Sequence, residues 1–159
     1  MASSWPTTPA PGPTVDDAAI TRFEASLGAR LPGEYRAYLL EVNGGRPTKA
    51  HRRFAIGRGH STLNNLFSLD HADERFDLAE RNALIRDDLP ADLLLIGSDD
   101  GGSRICLCIR GEHEGEVWFF DTADRRPSGS NPRVLWHDRR DMTKLADNFR
   151  AFMASLTPL

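Results

Sequence analysis

The sequence has little of what marks a disulfide-stapled or metal-binding protein. It contains only two cysteines among 159 residues, Cys106 and Cys108, and their spacing places both on one face of a strand. Residues so placed are badly positioned to bridge each other, so we expect buried, reduced thiols and a cytoplasmic protein. A metal site would need convergent ligands such as His113, yet neither a CxxC pair nor an HExxH spacing occurs. We therefore predict no metal and no cofactor.

The opening stretch MASSWPTTPAPGPT also lacks the features of a targeting signal. It has no basic head and no apolar run, so we expect neither a secretion signal nor a membrane span. Its prolines stand among small polar residues and leave no periodic apolar face to bury. The composition predicts a disordered, proline-rich tail over residues 1–14 and a single domain over residues 15–159.

No enzyme motif is complete in this chain. There is no G-x-S-x-G turn and no glycine-rich phosphate loop, and the DDGG turn lacks the alternating oxygen ligands of a calcium loop. The pairs Asp87-Asp88 and Asp99-Asp100 could act as acid and base, but adjacent carboxylates at loop ends usually serve turns and caps. His113 could titrate beside its acidic neighbours and switch an interface, although a polar histidine in a hairpin turn is commoner. We expect no catalytic residues.

Charge is present but unevenly distributed. The net charge is −3, which argues against binding nucleic acid directly through its phosphates. Five basic residues and no acid occur from Arg46 to His60, whereas ten acids stand against three arginines from Asp70 to Asp100. Such runs are usually solvated faces, but an acidic surface also suits a basic partner. The candidate partner-binding residues are Asp77, Glu80, Asp87, Asp88, Asp99 and Asp100.

The predicted domain begins with two helices. The first covers residues 14–29, with Thr14 or Asp16 as its cap, and has an apolar face made by Ile20, Phe23 and Leu27. The second is written LPGEYRAYLLEVNGGRP. Pro32 suits its first helical position, and Gly44 or Gly45 can adopt the positive φ that lets the last carbonyls be capped.

The pattern changes after these helices. A short strand is predicted at residues 54–56, and STLNNLFSLD is interpreted as a helical turn. Asp73 can cap a helix that runs to about Ala83, with Phe76, Ala79 and Ala83 inward and Asp77 and Glu80 outward. The outward acids of this helix would join Asp87 and Asp88 to Asp99 and Asp100.

The second half of the chain reads as an antiparallel meander. LLLIG, RICLCI and EVWFFD are short apolar runs separated by turns with Asp-Gly and Gly-Gly, and a fourth strand is predicted near residues 134–136. Trp118 and Phe120 alternate with Phe119, so one set should face the helices. The other set forms a ligand or partner patch or, more often, is covered by the C-terminal segment.

The run MTKLADNFRAFMASL predicts a closing helix with one apolar stripe, made by Leu145, Phe149, Phe152 and Leu156. Together the segments predict an α+β fold. It is a single domain with a mainly antiparallel sheet covered by helices on one face, two of them N-terminal and one C-terminal.

The order of these motifs resembles a known family. The pattern IxxFExxLGxxLPxxYRxxLLxxNGG, spelled by residues 20–45, resembles the leading signature of the SUKH superfamily of yeast cell-wall assembly regulators and bacterial toxin-immunity proteins. LPADLLLIGSDDGGSRICL and GEVWFFD resemble the family's later strand and turn blocks. The resemblance spans most of residues 15–156, but Ser103 stands where the family often has an acid.

The resemblance implies a non-catalytic protein-binding domain. The first interpretation is that the chain is a cytoplasmic bacterial immunity protein that binds and occludes a cognate toxin domain, which could be a nuclease. We expect a monomer or a weak homodimer. The alternative is an intracellular scaffold or regulator like the yeast members, and a small hydrolase or ligand-binding domain ranks below both. Fold does not settle the partner.

Overall fold

One antiparallel sheet forms the centre of the structure. The computed structural model describes residues 5, 6, 8, 10–123 and 134–159. Within them, six strands follow each other in sequence order, each hydrogen-bonded to the next. The strands are β1 (Arg53–Ile56), β2 (Gly59–Leu66), β3 (Leu93–Asp99), β4 (Arg104–Cys108), β5 (Val117–Phe120) and β6 (Met142–Ala146). The predicted α+β class is confirmed.

Helices cover one face of this sheet, as predicted. The described ranges contain α1 (Asp17–Leu27), α2 (Gly33–Glu41), α3 (Leu78–Leu84) and α4 (Phe149–Ala154). The largest fully buried side chains of the helices are those of Ile20, Tyr35, Leu39, Leu78, Phe149 and Phe152. No helix in the described part of the chain is long and apolar enough to cross a membrane.

Local signals set the ends of the first two helices. The Asp16 carboxylate accepts a hydrogen bond of 2.8 Å from the Ala19 N–H, so Asp16 caps α1 as predicted. Gly28 ends α1 in the left-handed region, with a φ of 67°. Pro32 stands at the N-cap of α2, one position before the helical position that the sequence predicted for it.

Two glycines beyond α2 allow the chain to run against β2. Gly44 and Gly45 have φ values of 84° and 113°, which confirms the predicted positive-φ exit. A Cβ on Gly44 would lie 2.7 Å from the carbonyl oxygens of Leu66 and Phe67. Only glycine combines this φ with so close an approach to backbone.

Asn43, just before these glycines, joins three segments of the chain. Its side chain is 1% exposed, and its Nδ2 donates to the carbonyl oxygens of Pro13 and Leu69 at 2.7 and 2.8 Å. Its Oδ1 accepts from the Leu69 N–H at 2.8 Å. The residue therefore fastens the N-terminal segment and the chain after β2 to the end of α2.

The segment STLNNLFSLD is part of a strand and its exit, so the predicted helical turn is wrong. Gly59–Leu66 forms β2, which pairs with β1 on one side and with β3 on the other. Leu63 and Leu66 turn inward around a register shift between Leu63 and Asn65, which obscures the two-residue alternation. Pairing with β3, about 30 residues later in the sequence, makes this segment a strand.

The predicted helix from Asp73 to about Ala83 is broken in two. Glu74–Phe76 is a single 3₁₀ turn, and α3 begins only after Asp77. Leu78 is the buried residue of α3, whereas Ala79 and Ala83, predicted to face inward, are exposed. The break shifts the helix so that a different face meets the core.

The chain before α4 also differs from the prediction. Residues 134–136 are not a strand, because Trp136–Asp138 forms a 3₁₀ turn, and the last strand is Met142–Ala146. The closing helix therefore shrinks to Phe149–Ala154, capped by the Asn148 side chain. Residues 142–146 pair with β5 as a strand, so the helix begins only after them.

The second face of the sheet carries a smaller apolar cluster. It contains both cysteines and is formed by Leu93, Cys106, Cys108, Trp118, Phe120 and Met142. The Trp136 ring meets the Trp118 ring edge-on at 4.9 Å, so Trp136, which precedes β6, covers part of this face. Both thiols are free, and burial raises the pKa of Cys106 to about 12 and that of Cys108 to about 11.

The N-terminal segment is predicted as a disordered tail, and that division of the chain stays a prediction. Within it, Trp5 is 4% exposed. Its ring lies 5.4 Å from that of Tyr38 and 5.5 Å from that of Phe149, with the Arg150 guanidinium 4.3 Å from its centroid. An aromatic side chain outside the predicted domain thus adds to the core.

The last residues of the sequence lie along β1. Thr157 and Arg53 exchange backbone hydrogen bonds of 2.9 Å, and the Arg52 N–H also donates to the Thr157 carbonyl. The Leu159 N–H donates to the carbonyl of Lys49 at 3.1 Å. The outer side of β1 is therefore paired at its first residues.

Candidate protein-binding surface

Asp77 has a structural role in place of the outward one that the sequence predicted. It is 8% exposed, and its two carboxylate oxygens accept hydrogen bonds from the N–H groups of His71 and Glu80, each at 2.9 Å. The Glu80 bond caps α3, and the His71 bond holds the preceding loop. The prediction that Asp77 faces outward is wrong, because the cap turns its side chain into the protein.

Asp99 is likewise part of the scaffold. It is buried at the end of β3, where it accepts hydrogen bonds from the Ser61 hydroxyl at 2.8 Å and the Ser103 N–H at 2.7 Å. Its neighbour Asp100 is exposed, with one carboxylate oxygen 3.7 Å from a guanidinium nitrogen of Arg52. The carboxylate of Asp99 therefore shapes the turn after β3, and Asp100 lies beside a basic residue.

The remaining three candidates are exposed on α3 and on the turn that follows it. Glu80 is exposed on the helix, and Asp87 and Asp88 are exposed in the 3₁₀ turn Arg86–Asp88 that follows it. Between them stands Leu84, whose side chain is 73% exposed. Glu80 and Leu84 are four residues apart and share one face of the helix. We call Glu80, Leu84, Asp87 and Asp88 the α3 surface.

A cleft of about 600 Å³ opens beside the α3 surface. It lies between the end of α1, the helix α3 and the start of β3, and its apolar lining includes Phe23, Leu27, Leu93, Leu94 and Ile109. Glu80 and Arg86 contribute charge to it. At one side the Arg110 guanidinium donates to the carbonyl oxygens of Leu27 and Ala91, joining α1 to the loop before β3.

Asn82 holds α3 in place beside this cleft. Its Nδ2 donates to the Leu95 carbonyl and its Oδ1 accepts from the Leu95 N–H, both at 2.8 Å. The Asn82 amide thus bonds the backbone of β3 at Leu95, two residues before Gly97, where the pairing with β2 ends. Together with the Asp77 cap, it fixes the helix that carries the α3 surface, so a partner would meet a preformed surface.

The histidine predicted to lie in a hairpin turn is part of a second polar group. His113 lies in the turn between β4 and β5, and its ring centroid is 4.4 Å from that of His137. Glu112, His113 and His137 each offer one ligand atom within 4.8 Å of the others. The sequence drew attention to His113 but not to His137, which is distant in the chain.

Glu116 anchors this polar group. Burial alone would raise the pKa of its carboxyl, but hydrogen bonds from His113, Lys144 and Trp118 outweigh burial, so the pKa lies below its usual value. The His113 Nδ1 is 2.8 Å from a Glu116 carboxylate oxygen. An ionised Glu116 therefore orients the His113 ring.

The structure thus separates the six predicted acids into three kinds. Asp77 and Asp99 are buried, the first as the cap of α3 and the second in the turn after β3; Asp100 lies beside Arg52; and Glu80, Asp87 and Asp88 are exposed on α3 and the turn after it. Sequence reasoning missed Leu84 and Asn82. A helix that begins after the cap Asp77 turns Leu78 toward the core and Leu84 toward solvent. With the cap placed correctly, the sequence could have predicted that Leu84 is exposed.

Comparison with known proteins agrees with the motif order. Residues 14–155 match the SMI1 / KNR4 family (SUKH-1), which covers all four helices and all six strands of the described chain. A search of curated proteins found no match.

Proposed function

Because the chain belongs to the SMI1 / KNR4 family (SUKH-1), we propose that it is a non-catalytic bacterial immunity protein that binds and occludes a cognate toxin domain in the cytoplasm. Family membership is the observation that carries this proposal, since the superfamily includes immunity proteins. Such a protein works by a rigid, complementary surface and needs no turnover and no cofactor.

The α3 surface is the part of the molecule that we propose for contact with the toxin. Leu84 supplies an exposed apolar contact; the exposed acid Glu80 precedes it on α3, and Asp87 and Asp88 follow it in the next turn, beside the exposed Arg86. The active site of a nucleic-acid-cleaving toxin is basic, so acids at the rim would speed association and favour this partner over others. Asn82 supports the idea because it holds the surface in one conformation before binding.

The test is protection of cells from a toxin encoded by the neighbouring gene. That gene product is expressed in a host bacterium alone and together with this chain, and we expect growth only in the second case. The purified pair should form a stoichiometric complex, and inhibition should be complete at equal concentrations. A harmless neighbour, or inhibition by catalytic amounts of this chain, would contradict the proposal.

Leu84→Asp tests the surface itself, with Leu135→Asp as the matched control. The two leucines are 73% and 62% exposed, so neither substitution removes a core side chain. We expect Leu84→Asp to weaken the complex at least tenfold, about 1.4 kcal/mol, because an apolar anchor at the centre of an interface is lost. Equal effects of the two variants would place the binding site elsewhere.

Charge reversal at Glu80 and Asp87 tests the electrostatic part. We expect the double variant Glu80→Lys/Asp87→Lys to slow association at low salt, and added salt should shrink the difference because it screens exposed charges. Asp77 is left unchanged since its carboxylate caps α3. Salt-independent association of the parent protein would rule out steering by this surface.

The alternative is an intracellular scaffold or regulator of the yeast cell-wall type, which would use the same domain to assemble other proteins. Its support is the same family match, because the superfamily includes such regulators. It is favoured if the neighbouring gene product is harmless and deletion of this chain alters growth in the absence of any toxin.

A further inference from the structure

We propose that Glu112, His113 and His137 form a binding site for one divalent transition-metal ion of the zinc class. Two of these residues lie in the turn between β4 and β5, and the third lies in the 3₁₀ turn Trp136–Asp138. One Glu112 carboxylate oxygen is 3.4 Å from Nε2 of His113 and 3.9 Å from Nε2 of His137. Two distant segments of the chain therefore bring three ligand groups to one point.

The hydrogen bond at the other side of the His113 ring fixes which nitrogen is free. The Nδ1 of His113 lies 2.8 Å from a Glu116 carboxylate oxygen, and in the tautomer that makes this hydrogen bond the ring nitrogen donates to the carboxylate. Glu116 is itself held by the Trp118 Nε1–H at 3.1 Å and by the Lys144 ammonium at 3.2 Å. In the neutral form of the ring, Nε2 is then left with a lone pair.

That lone pair has no hydrogen bond to accept. Among the described residues, the buried Nε2 of His113 has no hydrogen-bond partner, although it points toward Glu112. A buried polar atom without a partner is uncommon and calls for an explanation. A bound metal ion would be such an explanation, because the nitrogen of a neutral imidazole binds a metal ion directly.

The second histidine has a related arrangement. Its Nδ1 lies 3.4 Å from a carboxylate oxygen of Asp138, on the opposite side of the ring from the Nε2 that approaches Glu112. A carboxylate behind the imidazole is the usual support for a metal-binding histidine, since it fixes the ring and strengthens the ligand. Both histidines of the group have such a carboxylate.

The ligand set selects the class of metal. Two imidazoles and one carboxylate suit zinc and its neighbours, whereas magnesium and calcium prefer oxygen ligands throughout. With bonds near 2.1 Å, tetrahedral ligands lie about 3.4 Å apart, so the three atoms need only small side-chain shifts to close on an ion. The fourth position would remain open to water or to a side chain of a partner.

The rival interpretation is an ion-pair group without metal, in which a protonated His113 bridges Glu112 and Glu116. The two interpretations differ in what the isolated, metal-stripped protein does when zinc is added. Calorimetry with Zn²⁺ should show one ion per chain if the site exists. Absence of stoichiometric binding would overturn the proposal in favour of the ion pairs.

Glu112→Gln and Glu114→Gln are the matched variants. Both glutamates are exposed in the same turn, and the Glu112 side chain is 77% exposed, so neither change should affect folding. We expect Glu112→Gln to weaken Zn²⁺ binding at least tenfold and Glu114→Gln to leave it unchanged. Equal affinities in the two variants would exclude Glu112 as a ligand.

The histidines are tested by substitution and by spectroscopy. His137→Ala should weaken binding at least tenfold, whereas His60→Ala, at an exposed position of β2, should not. Ni²⁺ should quench tryptophan fluorescence, because the rings of Trp118 and Trp136 lie 5.9 and 5.6 Å from that of His113. Quenching that survives His137→Ala would assign the ion to another site.

Discussion

Trp5→Ala is the substitution that most directly tests the packing of the N-terminal segment. The indole contacts Tyr38 and Phe149 with ring centroids 5.4 and 5.5 Å away and is 4% exposed. Truncating a buried tryptophan to alanine costs about 3–5 kcal/mol. Release of the short segment regains chain entropy, so we expect about 3 kcal/mol, a large part of the ~5–15 kcal/mol that stabilises a typical domain.

The measurement is unfolding by urea and by heat, followed by far-UV circular dichroism. A loss of about 3 kcal/mol should lower Tm by about 6–12 °C in a chain of this size. Trp5→Phe is the control, because it keeps an aromatic ring beside Phe149 and should lose much less. If Trp5→Ala melts within ~1 °C of the parent, the loss is under ~0.5 kcal/mol and the tryptophan is not part of the core.

Three further substitutions or reactions have clear expected results. Gly44→Ala should reduce the free energy of unfolding by about 2 kcal/mol or more, and the control Gly57→Ala by only about 1 kcal/mol. Both glycines have positive φ, but only at Gly44 would an added Cβ clash with backbone atoms. Similar urea midpoints for the two variants would contradict this. Asn43→Ala should cost about 3 kcal/mol in the same assay, since it leaves buried backbone groups unpaired, and a neutral result would show that water replaces the amide. A disulfide reagent at pH 8 should label Cys106 and Cys108 only after unfolding, because both thiols are buried and their pKa values are about 12 and 11. Rapid labelling of the native protein would contradict the burial.

The parts of the fold that could be predicted are those set by neighbours in the sequence. Asp16, Gly28 and the Asn-Gly-Gly exit of α2 specify helix ends through hydrogen bonds and φ angles within a few residues. The strands β3, β4 and β5 are short apolar runs between glycine-containing turns, and they were found for the same reason.

The parts that could not be predicted depend on distant partners. The residues of β2 and β6 have patterns that also fit a helix, and it is pairing with β3 and β5 that makes them strands. Asp73 and Asp77 are successive caps: Asp73 caps only a single 3₁₀ turn, and α3 begins after Asp77, whose carboxylate also accepts from the His71 N–H. The sequence pattern offers both caps and does not show which of them begins the helix.

The candidate site was predicted in part. The acidic segment was recognised from composition, but burial of Asp77 and Asp99 depends on the turns that they cap, so their removal from the surface could not be foreseen. The grouping of His113 with His137 depends on how the chain before β6 crosses the second face of the sheet.

The pairing of Thr157 with Arg53 has a consequence for how the protein can be handled and how it can be recognised. A partner cannot extend the sheet by adding a strand at the start of β1, because backbone groups there are already bonded. Recognition at that edge must use side chains. A chain shortened after Leu156 would uncover the N–H and C=O groups of Arg53, and an uncovered edge strand invites copies of the protein to stack and precipitate.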